Sequence, residues 1–445
     1  MQRTASLIMS GVAALFFALL PGVATAQTLV RDTEIERILL HLSEPLLGAA
    51  GLSPGSVRIR LIQDDSMNAF VTASRTIYLH SGLIERLERP DMLQSVIAHE
   101  IGHIVAGHTA TRSVNAGAAS DLAAAGLLAG VVLGVMAGPA AGIAVAAGSQ
   151  ETARRGFFRH TRAEETNADQ IGVRLMESAG IDPQAAVDTL ELFAGQELLP
   201  SERRDAYART HPYSDDRITF IRQAVETSLS RGVPVPPETE RAYARLNAKL
   251  DGFIDRPDEV IARTEGHSSL EARLSRAIAL HRYPDPQAAF ALLEDLRFDY
   301  PDDPFITEMH AQFLVEDGQL DKGIAAYRVA FAALENAPLV GTALGRSLVA
   351  RGDEESLREA VALLTECIAR DPGAPLAHRS LAQAHARLGN LGEAALTTAE
   401  HNALRGLGAE AYRFAKQAQD ALELGTPARL RADDLVREFE RYARQ

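Results

Sequence analysis

The sequence predicts a mainly α protein in two parts, an α+β domain with one small β-sheet followed by a solenoid of helix pairs. Three observations carry this. Strand-like runs are confined to residues 57–80, whereas helical spacing of apolar residues fills most of the remainder. A linker, Gly232-Val233-Pro234-Val235-Pro236-Pro237, separates two regions of different pattern. Beyond it, turn markers and helix-starting prolines recur at a near-constant interval. A chain of 445 residues has room for two or three domains with sizeable cores.

Residues 1–26 read as a secretory signal peptide. Arg3 supplies the positive start, Ala5 to Leu20 the apolar run, and Ala24-Thr25-Ala26 the small-residue cleavage site. That run is short for a full membrane span. The lone cysteine, Cys367, rules out an intrachain disulfide and a four-cysteine zinc ribbon, and an exported chain without disulfides suits a bacterial periplasm. The first domain then covers residues 27–231. Ile35, Ile38, Leu39 and Leu42 mark one face of a helix, and Val57 to Ile62 form a strand. Residues 68–80 predict a β-hairpin turning near Ala73-Ser74-Arg75. A strong helix follows Pro90, capped by Asp91, with Leu93, Ile97, Ile101 and Ile104 on its apolar face. More helix is expected over about 152–180 and 183–195.

Residues 232–238 are the linker, and 239–445 the repeat domain. Asp317-Gly318, Arg351-Gly352 and Leu388-Gly389 are turn markers separated, glycine to glycine, by 34 and 37 residues. Pro304, Pro338 and Pro375 start helices in step with them, and Ala325-Ala326-Tyr327 and Glu393-Ala394-Ala395 supply small packing residues. A helix–turn–helix period of about 34 residues is the tetratricopeptide length, and such arrays build a concave surface for a partner chain. Cys367 falls inside one of these helices as a small buried apolar residue. The charge balance, 45 Lys+Arg against 59 Asp+Glu for a net −14, argues against nucleic acid as a partner.

His99-Glu100-Ile101-Gly102-His103 is the sharpest feature. Histidines at i and i+4 lie about 40° apart on one helix flank, so both imidazoles reach one metal ion. Zinc suits nitrogen and oxygen ligands, and Glu100 then stands beside the activated water as general base. A third ligand is needed. An extended motif would require Gly at 106 and His at 109, where Ala106 and Thr109 stand. His108 is half a turn from His99 and belongs to an outer layer or the surface. Glu165 is the better candidate, because it shares a helix face with Asp169. Asp169 would accept a hydrogen bond from the distal nitrogen of a ligand histidine and fix its tautomer.

His-Glu-x-x-His followed by Glu-x-x-Ala-Asp resembles the gluzincin-type peptidases that include the CAAX prenyl endoprotease and the bacterial heat-shock membrane protease. Asn68-Ala69-Phe70, Ser81-Gly82-Leu83 and Thr210-His211-Pro212 with Arg217 are similar to stretches typical of that family. The resemblance implies a gluzincin-type α+β peptidase domain and one Zn2+ per chain, held by His99, His103 and Glu165, with Glu100 as base. It implies Asp169 outside the ligand ring and His211 and Arg217 near the open coordination position. His211 has two implied roles, stabilising the oxyanion or filling the fourth zinc position until a lid over residues 195–209 moves. Asn68 and the strand after it would offer an edge to an extended substrate. The implied clients are unfolded or misassembled outer-membrane proteins, with the β-barrel assembly machinery as a partner of the repeats. The competing reading is a chaperone or scaffold whose repeats do the work.

Residues 122–150 run for 29 positions without a charge, between Asp121 and Glu151. By length this is a membrane span, but the zinc ligands lie on both sides of it in sequence and must meet. Two crossings need about 40 residues. An apolar hairpin therefore fits, with Gly126, Gly130, Gly134, Gly138 and Gly142 allowing close helix approach and Pro139 breaking the helix. With Arg154, Arg155, Arg159 and Arg162 after it, the expected contact is peripheral to a membrane.

Overall fold

The computed structural model describes residues 28–108, 162–194, 205–211, 214–283 and 285–442. The signal peptide over 1–26, the apolar hairpin over 122–150 and most of the 195–209 segment lie outside the described residues. Among the described residues, no helix is long and apolar enough to cross a membrane.

The sheet has four strands, β1 (Thr28–Val30), β2 (Arg58–Gln63), β3 (Ala69–Val71) and β4 (Thr76–His80), in the order β1-β2-β4-β3. The expected hairpin is β3–β4, and Arg75 takes a positive φ of 54° in its turn. β2 lies parallel to β4, pairing Ile59 with Ile77 and Leu61 with Leu79, and these alternate residues face the core. β1, a three-residue strand, has no counterpart in the sequence reading.

Helix α1 (Thr33–Ala49) is capped by Asp32, whose side chain accepts from the Ile35 amide, and buries Ile35, Leu39, Leu42 and Leu46. After the short α2 (Ser81–Arg86) comes α3 (Pro90–Val105), which starts at Pro90, with Asp91 inside its first turn. Every residue of α3 from Pro90 to Ile104 is buried, so it runs through the centre of the domain. Helices α4 (Arg162–Ser178) and α5 (Gln184–Glu191) pack against it, α6 (Ala206–Thr210) adds Tyr207 and Ala208 to the same core, and α7 (Asp215–Thr227) packs on α4 and α5.

Past the prolines, α8 (Pro237–Ile254) places Tyr243, Leu246 and Leu250 in the same core as the sheet, α1 and α3. The Tyr243 hydroxyl donates to the carbonyls of Ile84 at 3.0 Å and Leu87 at 2.8 Å. Then follow α9 (Pro257–Thr264) and the antiparallel pairs α10 (Leu270–Arg282) with α11 (Pro286–Asp299), and α12 (Pro304–Glu316) with α13 (Leu320–Ala333). The next pairs are α14 (Pro338–Arg351) with α15 (Glu354–Arg370), α16 (Pro375–Arg387) with α17 (Leu391–Leu404), and α18 (Gly408–Ala421) with α19 (Pro427–Glu438). Gly318, Gly352 and Gly389 turn the chain between partners with φ of 82°, 81° and 81°, a conformation only glycine adopts freely. Cys367 is buried in α15 at 2% exposure.

Candidate metal centre

The centre is built from the crossing of two helices. Gly102 on α3 and Gly172 on α4 sit where the backbones meet. A Cβ on Gly102 would come within 2.6 Å of the Ala168 carbonyl oxygen, and one on Gly172 within 3.3 Å of Ala98. The absence of those methyl groups lets the helices approach. The Glu165 carboxylate, fully buried, thereby reaches His99 and His103, which stand one turn apart on α3. Glu165 Oε2 lies 3.3 Å from His99 Nε2, and Oε1 lies 3.3 Å from His103 Nε2.

A fourth donor comes from the residue that ends α6. His211 Nδ1 is 3.2 Å from His99 Nε2 and 3.2 Å from each oxygen of Glu165. His99 Nε2 and His103 Nε2 are 3.1 Å apart, and the four residues offer ligand atoms that all lie within 4.8 Å of one another. Donors about 2 Å from one tetrahedral ion stand about 3.3 Å from each other, close to the separations given above. Three imidazoles and a carboxylate are also donors that suit a divalent ion such as zinc.

The surrounding contacts hold these donors in place. His99 Nδ1 donates to Asp169 Oδ1 at 2.9 Å, which turns Nε2 toward the centre. Arg217, 2% exposed, donates to Asp169 from Nε at 2.6 Å and Nη2 at 2.8 Å, and its Nη1 lies 3.0 Å from Glu165. Burial works against charge on Glu165, but His211 and Arg217 more than offset it and hold the carboxyl well below the usual carboxylate range. Burial pushes His103 down to about 3, the hydrogen bond and attraction of Glu165 returning part of the shift and repulsion from His99 and His211 adding to it. Burial also opposes a charge on His99, yet Asp169 and Glu165 raise it to about 10. Glu100, 0% exposed, has Oε1 3.4 Å from His211 Nε2.

All seven predicted residues, His99, Glu100, His103, Glu165, Asp169, His211 and Arg217, thus meet in one buried cluster. Arg217 grips the two carboxylates. His108, assigned to an outer layer or the surface, has Nδ1 2.9 Å from His103 Nδ1. Tyr207 went unnoticed in the sequence. Its ring stacks on His211 at 4.6 Å and 24°, with Phe193 4.9 Å beyond it, and the only signal was a tyrosine one turn before a histidine. α6 is also tied to the sheet, since the Tyr207 amide donates to the Met67 carbonyl at 2.9 Å, two residues before β3.

Comparison with known proteins agrees with this geometry. Residues 30–225 match the sequence pattern of Peptidase family M48. The chain is similar to the beta-barrel assembly-enhancing protease of Yersinia pestis, 24% identical over 421 residues, which is 93% of this chain and 85% of that one. It is similar to a putative beta-barrel assembly-enhancing protease of Vibrio cholerae, 27% identical over 414 residues and covering 92% and 84% of the two chains. The mitochondrial metalloendopeptidase OMA1 of Schizosaccharomyces pombe is 29% identical over 220 residues, or 47% of this chain and 57% of that one.

Proposed function

With residues 30–225 as an M48 metallopeptidase domain for premise, we propose a periplasmic zinc endopeptidase that removes misassembled outer-membrane proteins and rests in a latent state. The observation that carries the latency is that His211 stands with His99, His103 and Glu165 as a fourth protein donor, all within 4.8 Å of one another. A catalytic zinc site keeps one position for water or substrate, which His211 would fill. The names of the relatives, which extend through the repeats, support the client class, and the predicted export segment over 1–26 supports the compartment.

The mechanism follows from the side chains. Bound zinc would supply a Lewis acid that polarises the scissile carbonyl and lowers the pKa of water. His99, His103 and Glu165 hold it. Asp169 keeps the His99 tautomer, and Arg217 keeps Asp169 and Glu165 ionised and oriented. Glu100, buried beside His211, takes a proton from the attacking water and delivers it to the leaving amide nitrogen. His211 must swing out with α6 before water and substrate enter. β3 is the edge of the sheet, so an extended client segment can add to it as a further strand. The closed donor set favours one second reading, a chaperone whose repeats bind clients and whose proteolysis is rarely released.

Cleavage of an unfolded outer-membrane protein by the purified chain separates these readings. Glu100→Gln should retain one zinc per chain and lose at least about 100-fold in rate. His211→Ala should also retain zinc and raise the basal rate. An unchanged rate in His211→Ala would remove the latch, and normal cleavage by Glu100→Gln would remove the base. Wild-type behaviour of Glu100→Gln in cells would favour the chaperone.

A further inference from the structure

The concave face of the repeats holds a cavity of about 860 Å3, lined by α12, α14 and α16 and by Arg31, Asp32 and Thr33 of the peptidase domain. That N-terminal segment lies across the starts of all three helices. Arg31 pairs with Asp371 at 2.7 Å and Arg37 donates to the Leu334 carbonyl at 2.7 Å. Near α12, Arg245 joins Glu34 to Asp303. One end of the groove is therefore a wall made by the other domain.

Most charges around this groove are already used. Arg31 pairs with Glu36 and Asp371, Asp32 with the buried Lys249 at 2.6 Å, and Glu316 lies 3.5 Å from His281. Arg387 donates to the Val349 carbonyl. Burial pushes the Glu308 carboxyl up to about 7, and Lys249 opposes that shift. Arg346 on α14 and Arg379 on α16 are the exceptions. Both are exposed in the groove and have no ion-pair partner among the described residues.

We propose that this groove binds an extended acidic polypeptide segment, with its carboxylates on Arg346 and Arg379. Arg346 is the ninth residue of its helix and Arg379 the fifth of the neighbouring one, so they are one turn out of step. Two cations on neighbouring helices favour a segment with several acidic residues over a single carboxylate. An extended chain places alternate side chains on one face about 7 Å apart. Leu376, 46% exposed, and Leu339 provide apolar surface for residues between the acids. This rests on the reading in which the repeats bind clients and uses none of the catalytic assignments.

The test uses the full chain carrying Glu100→Gln, so the probe is not cut and a failure here leaves the catalytic proposal standing. The probe is a fluorescein-labelled, end-blocked peptide alternating Glu with Ser and Leu, read by anisotropy against the same peptide with Gln for Glu. The Glu peptide should bind at least tenfold more tightly and weaken as salt rises. Arg346→Gln with Arg379→Gln should abolish the preference without lowering the melting temperature, whereas the exposed Arg437→Gln should not. Equal affinity for the two peptides, or a preference that survives the double substitution, would overturn the proposal. So would phosphatidylglycerol vesicles that bind more tightly than the peptide through the same two arginines.

Discussion

Substituting Gly102 with alanine tests whether the α3–α4 crossing sets the metal centre. The added Cβ would stand 2.6 Å from the Ala168 carbonyl oxygen, with Ala168 Cα at 3.1 Å and its carbonyl carbon at 3.2 Å. All three are backbone atoms, so no side chain can turn away. Restoring ordinary contact moves α4 outward by about 0.8 Å. Glu165 rides on α4 one turn before Ala168, and its oxygens now stand 3.3 Å from His99 and His103. The same displacement pulls the carboxylate away from both histidines. Overpacking costs about 1–3 kcal/mol, while exchanging glycine for alanine in a helix returns about 1 kcal/mol. Net stability should therefore fall by only about 0–2 kcal/mol, but zinc affinity should fall at least tenfold. Competition against a chromophoric chelator measures the affinity, and calorimetry the stability. Gly48→Ala in α1 is the control, since nothing lies within 4 Å of its Cβ, and it should be stabilised without affecting zinc. Zinc affinity within twofold of wild type in Gly102→Ala would refute the claim that this glycine sets the ligand geometry.

Two further outcomes follow from other buried charges. Arg217→Met leaves Glu165 and Asp169 without their shared cation, so unfolding free energy should drop by about 3–5 kcal/mol in denaturant titrations; a loss under about 1 kcal/mol would mean that the arginine is dispensable. Glu308 is raised to about 7 by burial, with Lys249 opposing and Asp32 and Glu34 adding to the shift. The unfolded chain releases this proton near pH 4.5 and the folded chain near 7, so stability is lost as pH rises between those values and is level above them. Glu308→Gln should match wild type near pH 4.5 and exceed it by about 1–3 kcal/mol at pH 8, and equal stability of the two at pH 8 would contradict this.

What could be read from sequence follows from how local each feature is. His99 and His103 needed only the spacing of one helix, and the repeats needed only glycines that must turn left-handed, as Gly318, Gly352 and Gly389 do. Glu165 was singled out only because the histidine pair needs a third ligand and Asp169 shares its helix face, and His211 came from family resemblance alone, because nothing in its own neighbourhood announces a ligand. Gly102 was unreadable, since a glycine inside a helix looks like a weakness until the opposing backbone is known. Tyr207 was hidden for a similar reason: its stacking depends on Phe193 and His211 converging through tertiary packing. The contacts of Arg31 and Arg37 with Asp371 and Leu334 span about 300 positions, and no periodicity reports on those. The three residues of β1 are held by pairing with β2, which no local pattern reveals.

The exchange of elements between the two parts has a consequence for how the molecule comes apart. α8 follows the proline-rich stretch yet buries Tyr243, Leu246 and Leu250 in the peptidase core, while the start of α1 lies across the repeat helices. Each part is therefore finished by residues from the far side of the prolines. Cutting the chain at Pro234 would leave an open slot in one fragment and an uncovered row of helix ends in the other. The peptidase and the adjoining repeats should melt in a single cooperative transition, and anything that tightens the groove would be felt as added thermal resistance at the catalytic helix.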